Sequence, residues 1–347
     1  MRRDSVTIKE VAAAAGVHPS TVSRALNAAT RHLVSGEVAR KVEAVAAGQG
    51  YARDEIASSL RTRRSMTVGV LVPDLTNALF PPMLRGVEDA LGPSYTVIIA
   101  NTDDDPSRQT LGARRLLARG IDGLVLATAR RHDPLVAELL AAGTPFVLVN
   151  RTLDEGGVSA VVSDDAQGLR LTVEHLARLG HRRIAHLAGP QDLSTGFVRH
   201  RAFLDAMRAA RLEPDERPVA ARSYSIAEGV RLAAQLLRAE PRPIAVLAAN
   251  DLLALGAYEA AGELGPAVPG DVSGTGFNDM PLVDRLAPPL TTVRVQHYEM
   301  GAQAGRLLLR QLDEPGSPRM TVHFSVTLSV RGSTAPPRPA EATDAAA

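Results

Sequence analysis

From Thr67 onward, short and nearly unbroken apolar runs alternate with helical patterns of roughly 10–15 residues. The first runs are Val68–Val72, Thr96–Ala100, Leu124–Ala127 and Phe146–Val149. Strands apolar on both faces must be covered on both. Intervening helices do this in a parallel sheet built from strand–helix–strand units. A second series follows at Ala160–Ser163, Arg183–Leu187, Val219–Arg222, Ile244–Ala248 and Val272–Gly276, with helices expected over 165–179, 195–211, 226–239 and 250–262. The spacing therefore predicts two parallel-sheet α/β lobes between residues 67 and 330. Pro288-Pro289-Leu290-Thr291-Thr292 reads as a crossover returning the chain to the first lobe. Residues 333–347, rich in Pro and Ala, read as a flexible tail.

Composition narrows the chemistry. The 347 residues include no cysteine, which excludes disulfides, thiolate nucleophiles and zinc–thiolate sites. No apolar stretch approaches the ~18 residues of a membrane span, and Met1-Arg2-Arg3-Asp4 leads into polar helix-start residues. No membrane partner is expected, and the cytoplasm is the expected compartment. After the Val68–Val72 run comes Pro73-Asp74-Leu75-Thr76-Asn77, where a dinucleotide site would need G-x-G-x-x-G; H-E-x-x-H and G-x-x-x-x-G-K-[ST] are also absent. Asp103-Asp104-Asp105-Pro106 could imitate a metal site, but reads more simply as a loop entering a helix at Pro106. No cofactor and no metal is expected, and an enzyme is disfavoured.

The formal charge of +1 hides an asymmetry: residues 1–64 carry 11 Lys/Arg against 6 Asp/Glu, and the remainder is mildly acidic. Attraction for a polyanion would be local to this first segment, although a charge run can be only a solvated face. Thr7 stands three residues before Glu10, the spacing of a capping box, and Ile8, Val11, Ala12 and Ala15 recur at helical spacing before Gly16. After the tight Val17-His18 turn, Pro19 opens a second helix, where its missing N–H costs nothing. Ser35 caps a third, whose Val38, Val42 and Val45 face one way until Gly48. Such short helices must pack mutually, around Val11, Val22, Leu26, Val38 and Val42, to be stable. His18 could reach DNA or pack the turn.

The run from Val6 to Asn27, and most specifically Ser20-Thr21-Val22-Ser23-Arg24-Ala25-Leu26-Asn27, resembles the headpiece of the LacI/GalR family of bacterial transcription regulators. The resemblance continues to about Ala335 through Leu60-Arg61-Thr62, Gly180-His181-Arg182-Arg183-Ile184, Ala249-Asn250-Asp251 and Pro289-Leu290-Thr291-Thr292-Val293. It implies a multidomain α and α/β fold. A helix-turn-helix DNA-binding headpiece spans 1–51 and a hinge helix and linker 52–65. A two-lobed parallel-sheet effector-binding and dimerisation domain of periplasmic binding protein type I spans 66–332, followed by the tail. Base contacts map onto Pro19, Ser20 and Arg24, and Arg24 could fork onto a guanine. Thr7, Thr21, Ser23 and Asn27 carry short polar groups suited to phosphate oxygens, or they cap locally. Leu60 matches a hinge leucine that wedges into the minor groove, with Ala57 beside it.

Two α/β lobes leave a cleft at the carboxyl ends of their strands. The resemblance, which extends to periplasmic sugar-binding proteins, places effector contacts at Asp74, Leu79, Phe80, Arg151, Arg199, Tyr224, Asp251 and Asn278. Phe80 or Tyr224 can stack on a sugar ring, and Arg151, Arg199 and Asp251 can form charge-assisted bonds to its hydroxyls. Competing readings make Asp251 or Asn250 a helix cap and the arginines structural ion pairs. Two arginines also suit a phosphorylated sugar, a nucleoside or a purine. The implied function is a homodimeric repressor on a roughly palindromic operator in double-stranded DNA, controlled by a sugar or related small effector. A DNA-tethered sugar-processing enzyme and an architectural DNA-binding protein are the alternatives.

Overall fold

The computed structural model describes residues 6–26, 30–51, 64–214, 219–240 and 242–338. The expected contacts Asn27, Ala57 and Leu60, and most of the predicted hinge, lie outside the described residues. The chain divides into two compact units, Met1–Ser65 and Met66–Ala347.

The first unit contains α1 (Ile8–Ala15), α2 (Pro19–Ala25) and α3 (Gly36–Gly48). The capping box at α1 is complete: the Thr7 N–H donates to Glu10 Oε2 at 2.6 Å, and the Glu10 N–H donates to Thr7 Oγ1 at 3.4 Å. Gly16 ends α1 in the left-handed region at φ 65°, a conformation that favours glycine. Among the described residues the buried members of its core are all small, Val11, Ala12, Ala15, Val22, Ala25, Ala39, Val42 and Ala46, with Ile8, Leu26 and Tyr51 packed half-buried against them. On α3 the buried stripe is Ala39, Val42 and Ala46, while Val38 and Val45 lie at its edge. Alanines let the three short helices approach closely, so the predicted valine face sits slightly rotated.

The second unit holds two six-stranded sheets. The first comprises β1 (Thr67–Val72), β2 (Thr96–Asn101), β3 (Gly123–Leu126), β4 (Phe146–Val149), β5 (Ala160–Ser163) and β11 (Thr321–Phe324), in the order β11-β5-β4-β3-β1-β2 and parallel throughout. The second comprises β6 (Ile184–Ala188), β7 (Val219–Ala220), β8 (Ala245–Ala248), β9 (Ser273–Asn278), β10 (Thr291–Arg294) and β12 (Thr327–Ser329), in the order β12-β10-β9-β8-β6-β7. Among the described strands only β12 runs antiparallel to its neighbour. In both sheets the strand order reverses about the first strand of its βαβ series.

Helices α4 (Phe80–Leu91), α5 (Pro106–Ala118), α6 (Pro134–Ala141) and α11 (His297–Asp313) belong to the first lobe, and α7 (Asp165–Arg178), α8 (Ser194–Ala209), α9 (Ile226–Leu237) and α10 (Asp251–Leu264) to the second. Each lobe contains a helix pair in backbone contact. A Cβ on Gly301 of α11 would lie 1.9 Å from the Met83 carbonyl oxygen of α4, and one on Gly86 would lie 2.0 Å from that of Tyr298. In the second lobe, a Cβ on Gly256 of α10 would lie 2.3 Å from the Ile226 carbonyl oxygen of α9.

Three expectations need correction. Ala160–Ser163 does not open the second lobe: β5 pairs with β4 and β11 and completes the first sheet. Its apolar character is that of any doubly covered strand, which does not reveal which sheet it joins. Thr291 and Thr292 lie within β10 of the second sheet, so the return to the first lobe follows at Val295 and Gln296. The segment expected to loosen from Ser333 is held as far as Arg338. Ser333 is fully buried, its Oγ accepting from the Thr291 N–H at 2.7 Å and donating to the Gly274 carbonyl at 2.7 Å. Its hydroxyl thereby satisfies backbone groups of the sheet that no strand reaches.

Candidate effector cavity and DNA-reading helix

The carboxyl ends of both sheets open onto one cavity of about 320 Å³. From the first lobe it receives Pro73, Asp74 and Asn77 after β1, Leu79 and Phe80 at the start of α4, Asp103 and Asp104 after β2, and Asn150 and Arg151 after β4. From the second it receives Thr195 and Arg199 of α8, Ser223, Tyr224 and Ser225 after β7, Asn250 after β8, and Asn278 ending β9. Ligands of open parallel sheets bind at these strand ends, where loops are free to vary while the sheet fixes their anchors. Four non-glycine residues on the wall have positive φ: Asp103 (50°), Asp104 (55°), Asn150 (66°) and Asn278 (119°). Such backbone costs energy, and Asn and Asp are the residues that tolerate it best.

The two arginines are anchored by the protein itself. Arg151, 4% exposed, donates from Nη1 to Asp104 Oδ1 at 2.8 Å and to the Thr128 carbonyl at 3.3 Å, leaving its buried Nε without a partner among the described residues. Arg199, 2% exposed, donates from Nη1 to the Ala249 carbonyl at 2.7 Å and from Nη2 to Asp165 Oδ1 at 3.2 Å. Its guanidinium lies 3.8 Å from the centre of the Phe277 ring. The lining thus carries three carboxylates, Asp74, Asp103 and Asp104, against two guanidiniums, with Asp165 behind one of them. Among the described residues lining the cavity, every cation already has a carboxylate partner. Hydrogen-bonding capacity remains for a neutral ligand: the Asn77 and Asn250 Oδ1 atoms accept from the backbone N–H groups of Leu79 and Leu253, which frees their amide N–H groups as donors.

Seven of the eight expected effector contacts line this cavity; Asp251 does not. It is fully buried as the first residue of α10, with Oδ2 accepting from the Met280 N–H at 2.8 Å and Oδ1 from the Thr292 hydroxyl at 2.6 Å. Its neighbour Asn250 caps α10 and faces the cavity instead. Tyr224 enters beside Gly189, where a Cβ would lie 2.2 Å from its hydroxyl oxygen, and donates to Thr195 Oγ1 at 3.2 Å. Sequence reasoning missed Asn77, Asp103, Asp104, Asn150, Thr195, Ser223, Ser225 and Asn250. The usable signal was position, since all but Thr195 lie in the segments between a strand end and the next helix or strand.

Burial pushes the Asp251 carboxyl up to about 7, against the pull of its two hydrogen bonds. The folded state therefore holds a proton that the unfolded chain releases near the ordinary carboxylate range. Stability from this group is full below about pH 4 and is lost as pH rises through about 7. In thermal melts across that window, Asp251→Asn is expected to remove part of the downward slope; an identical slope in both proteins would contradict this.

In the first unit, the exposed face of α2 carries Ser20 and Arg24, one turn apart, with Pro19, Thr21 and Ser23 half-buried beside them. Among the described residues the Arg24 guanidinium has no hydrogen-bond partner. Thr7 forms the local cap that stands beside the phosphate contact as its alternative role. Its hydroxyl donates to Glu10 Oε2 at 2.9 Å and accepts from the Glu10 N–H, so the capping box occupies it. Among the described residues no cluster of His, Asp and Glu could hold a metal, and no helix is long and apolar enough to cross a membrane.

A helical unit that presents an arginine-bearing second helix, and a two-lobed binding unit with a polar cleft, define a ligand-responsive DNA-binding protein. Comparison gives the family. Residues 7–54 match the model for bacterial regulatory proteins of the lacI family, and residues 173–334 that for the periplasmic binding protein-like domain. The ribose operon repressor of Bacillus subtilis is 32% identical over 329 residues, 94% of this chain and 98% of the relative. The lac repressor dimer bound to operator and the anti-inducer ONPF superposes with a TM-score of 0.82 at 28% identity, covering 96% of this chain and all of the other. A ribose-bound LacI family regulator from Enterococcus faecium superposes with a TM-score of 0.69 at 31% identity, covering 78% and 99%. The chain belongs to the LacI family of transcription regulators, which bind DNA and are not enzymes.

Proposed function

We propose that this protein is a homodimeric repressor whose cleft binds a neutral sugar of monosaccharide size, and that occupancy of the cleft changes its affinity for a roughly palindromic operator. The carrying observation is the charge balance of the cavity wall. Each arginine is paired, and the surplus charge is negative, so a sugar phosphate would bring repulsion without a free guanidinium to receive it. A polyol instead meets amides, hydroxyls and carboxylates that can accept and donate, together with the faces of Phe80 and Tyr224. The ribose-linked relatives make ribose the first sugar to try.

Dimerisation is supported by apolar side chains left in water by one chain. β2 is an edge strand of a parallel sheet, yet it is largely uncovered, with Ile99 44% exposed; Tyr298, Ile226 and Leu282 are also exposed. Two α2 helices held in register gain effective concentration on a two-fold site.

In a thermal-shift comparison, ribose and other neutral monosaccharides are expected to include a sugar that raises the melting temperature, with its 5- or 6-phosphate ester giving no shift. Stabilisation by the phosphate ester alone would overturn the neutral-sugar reading.

A further inference from the structure

The pair His18 and Ser20 carries more information than a helix cap. His18 Nδ1 accepts the Ser20 backbone N–H at 3.2 Å and lies 2.8 Å from Ser20 Oγ, and both residues are exposed. The backbone contact fixes the tautomer. An N–H donor requires a lone pair on Nδ1, so the ring proton sits on Nε2. The positive end of α2 favours the same arrangement, because a proton on Nδ1 would point at N–H groups. With no hydrogen on Nδ1, the 2.8 Å contact must be made by the serine's own hydroxyl hydrogen. A serine hydroxyl has one hydrogen and two lone pairs. Once the hydrogen is given to His18, Ser20 has only acceptors to offer outward.

We infer that His18 is a specificity-determining positioning residue, which makes Ser20 read an amino group in the major groove. This rests on the reading above that α2 makes the base contacts, which for a helix-turn-helix are made in that groove. Adenine and cytosine present an amine there, at N6 and N4, whereas guanine and thymine present carbonyl oxygens. A freely rotating serine hydroxyl accepts from the first pair and donates to the second with little preference. Ser20 held by His18 meets a guanine or thymine with lone pair against lone pair. The polarity of the contact is therefore set one residue before the helix begins, by a side chain that does not itself touch the base.

The test is selection of duplexes from a randomised pool by the full-length protein, comparing wild type with Ser20→Ala, His18→Ala, His18→Ser and His18→Asn. Ser20→Ala identifies the base pair that Ser20 reads in each half-site. At that pair the wild type is expected to prefer adenine or cytosine over guanine or thymine on one strand by at least about fivefold. His18→Ala lowers the preference to within about twofold there and leaves the other positions unchanged. Serine is a good helix cap, so His18→Ser keeps the fold and melting temperature but loses the preference, separating reading from capping. His18→Asn places an amide oxygen where Nδ1 stood and restores it. A wild type indifferent to amino or keto at the Ser20 pair, or a His18→Ser variant with the full preference, overturns the inference while DNA reading by α2 stands. A wild type that selects no sequence at all removes the DNA-reading proposal, and this inference with it.

Discussion

Gly301→Ala is expected to lower the melting temperature of the second unit by roughly 6–12 °C. The new methyl would sit 1.9 Å from the Met83 carbonyl oxygen, in a contact made by two backbones rather than by a movable side-chain tip. α4 and α11 must separate to admit it, which disturbs Phe80 and Met83 at the core end of α4. Overpacking of this kind costs about 3 kcal/mol or somewhat more, and a unit of this size loses roughly 2–4 °C per kcal/mol. Gly112→Ala provides the internal control. It also lies within a helix, but its Cβ would meet nothing nearer than the Ala100 Cβ at 3.6 Å, so it should stabilise slightly by restricting the unfolded chain. Differential scanning of the two variants separates close approach from helix propensity. Equal shifts in both would contradict the packing argument.

Arg199→Met should be comparably severe, through electrostatics. Arg199 Nε lies 3.1 Å from Asp165 Oδ2, with both side chains under a tenth exposed, and removing the guanidinium strands a buried carboxylate. Breaking one partner of such a pair typically costs about 3–5 kcal/mol, most of it the penalty on the charge left behind. Asp165→Asn in the Arg199→Met background removes that charge and is expected to recover at least half of the lost stability, while Ser163 keeps a hydroxyl contact to position 165. Sugar binding should not recover with it, because Arg199 also lines the cavity. An Arg199→Met protein that melts like the wild type would show that the pair contributes little.

The parts legible in the sequence were those governed by local chemistry. The Thr7–Glu10 capping box, Gly16 closing α1, Pro19 opening α2 and the helix start at Pro106 are all legible from spacing, because each involves residues within one turn. Most strands were visible as doubly buried runs. What failed depended on chain pairing across long separations. No local signal told β5 which sheet to join, and nothing in the Pro- and Ala-rich end announced that Ser333 would bond to Gly274 and Thr291. The site shows the same division. Arg151, Arg199 and Tyr224 follow from the family resemblance, which points to Asp251 as well, although Asp251 and Asn250 are adjacent and chemically similar. Only the helix start decides which of them faces the cleft: Asn250, in extended backbone at the cap, turns toward the cavity, and Asp251, one residue into the helix, turns beneath it. Asp103 and Asp104 read as loop residues and lie in a loop, but their positive φ values, which go with a place on the cavity wall, have no sequence signature.

In the proposed repressor, cleft occupancy and operator affinity are coupled, and reciprocity makes that coupling directly measurable. A duplex obtained by selection with the full-length protein is titrated with and without a saturating neutral sugar, ribose first, whose binding is established independently by calorimetry. Operator Kd is expected to change by roughly 5–150-fold, and sugar affinity by an equal factor when DNA is bound. A sugar that fills the cleft while both affinities stay constant would contradict that coupling.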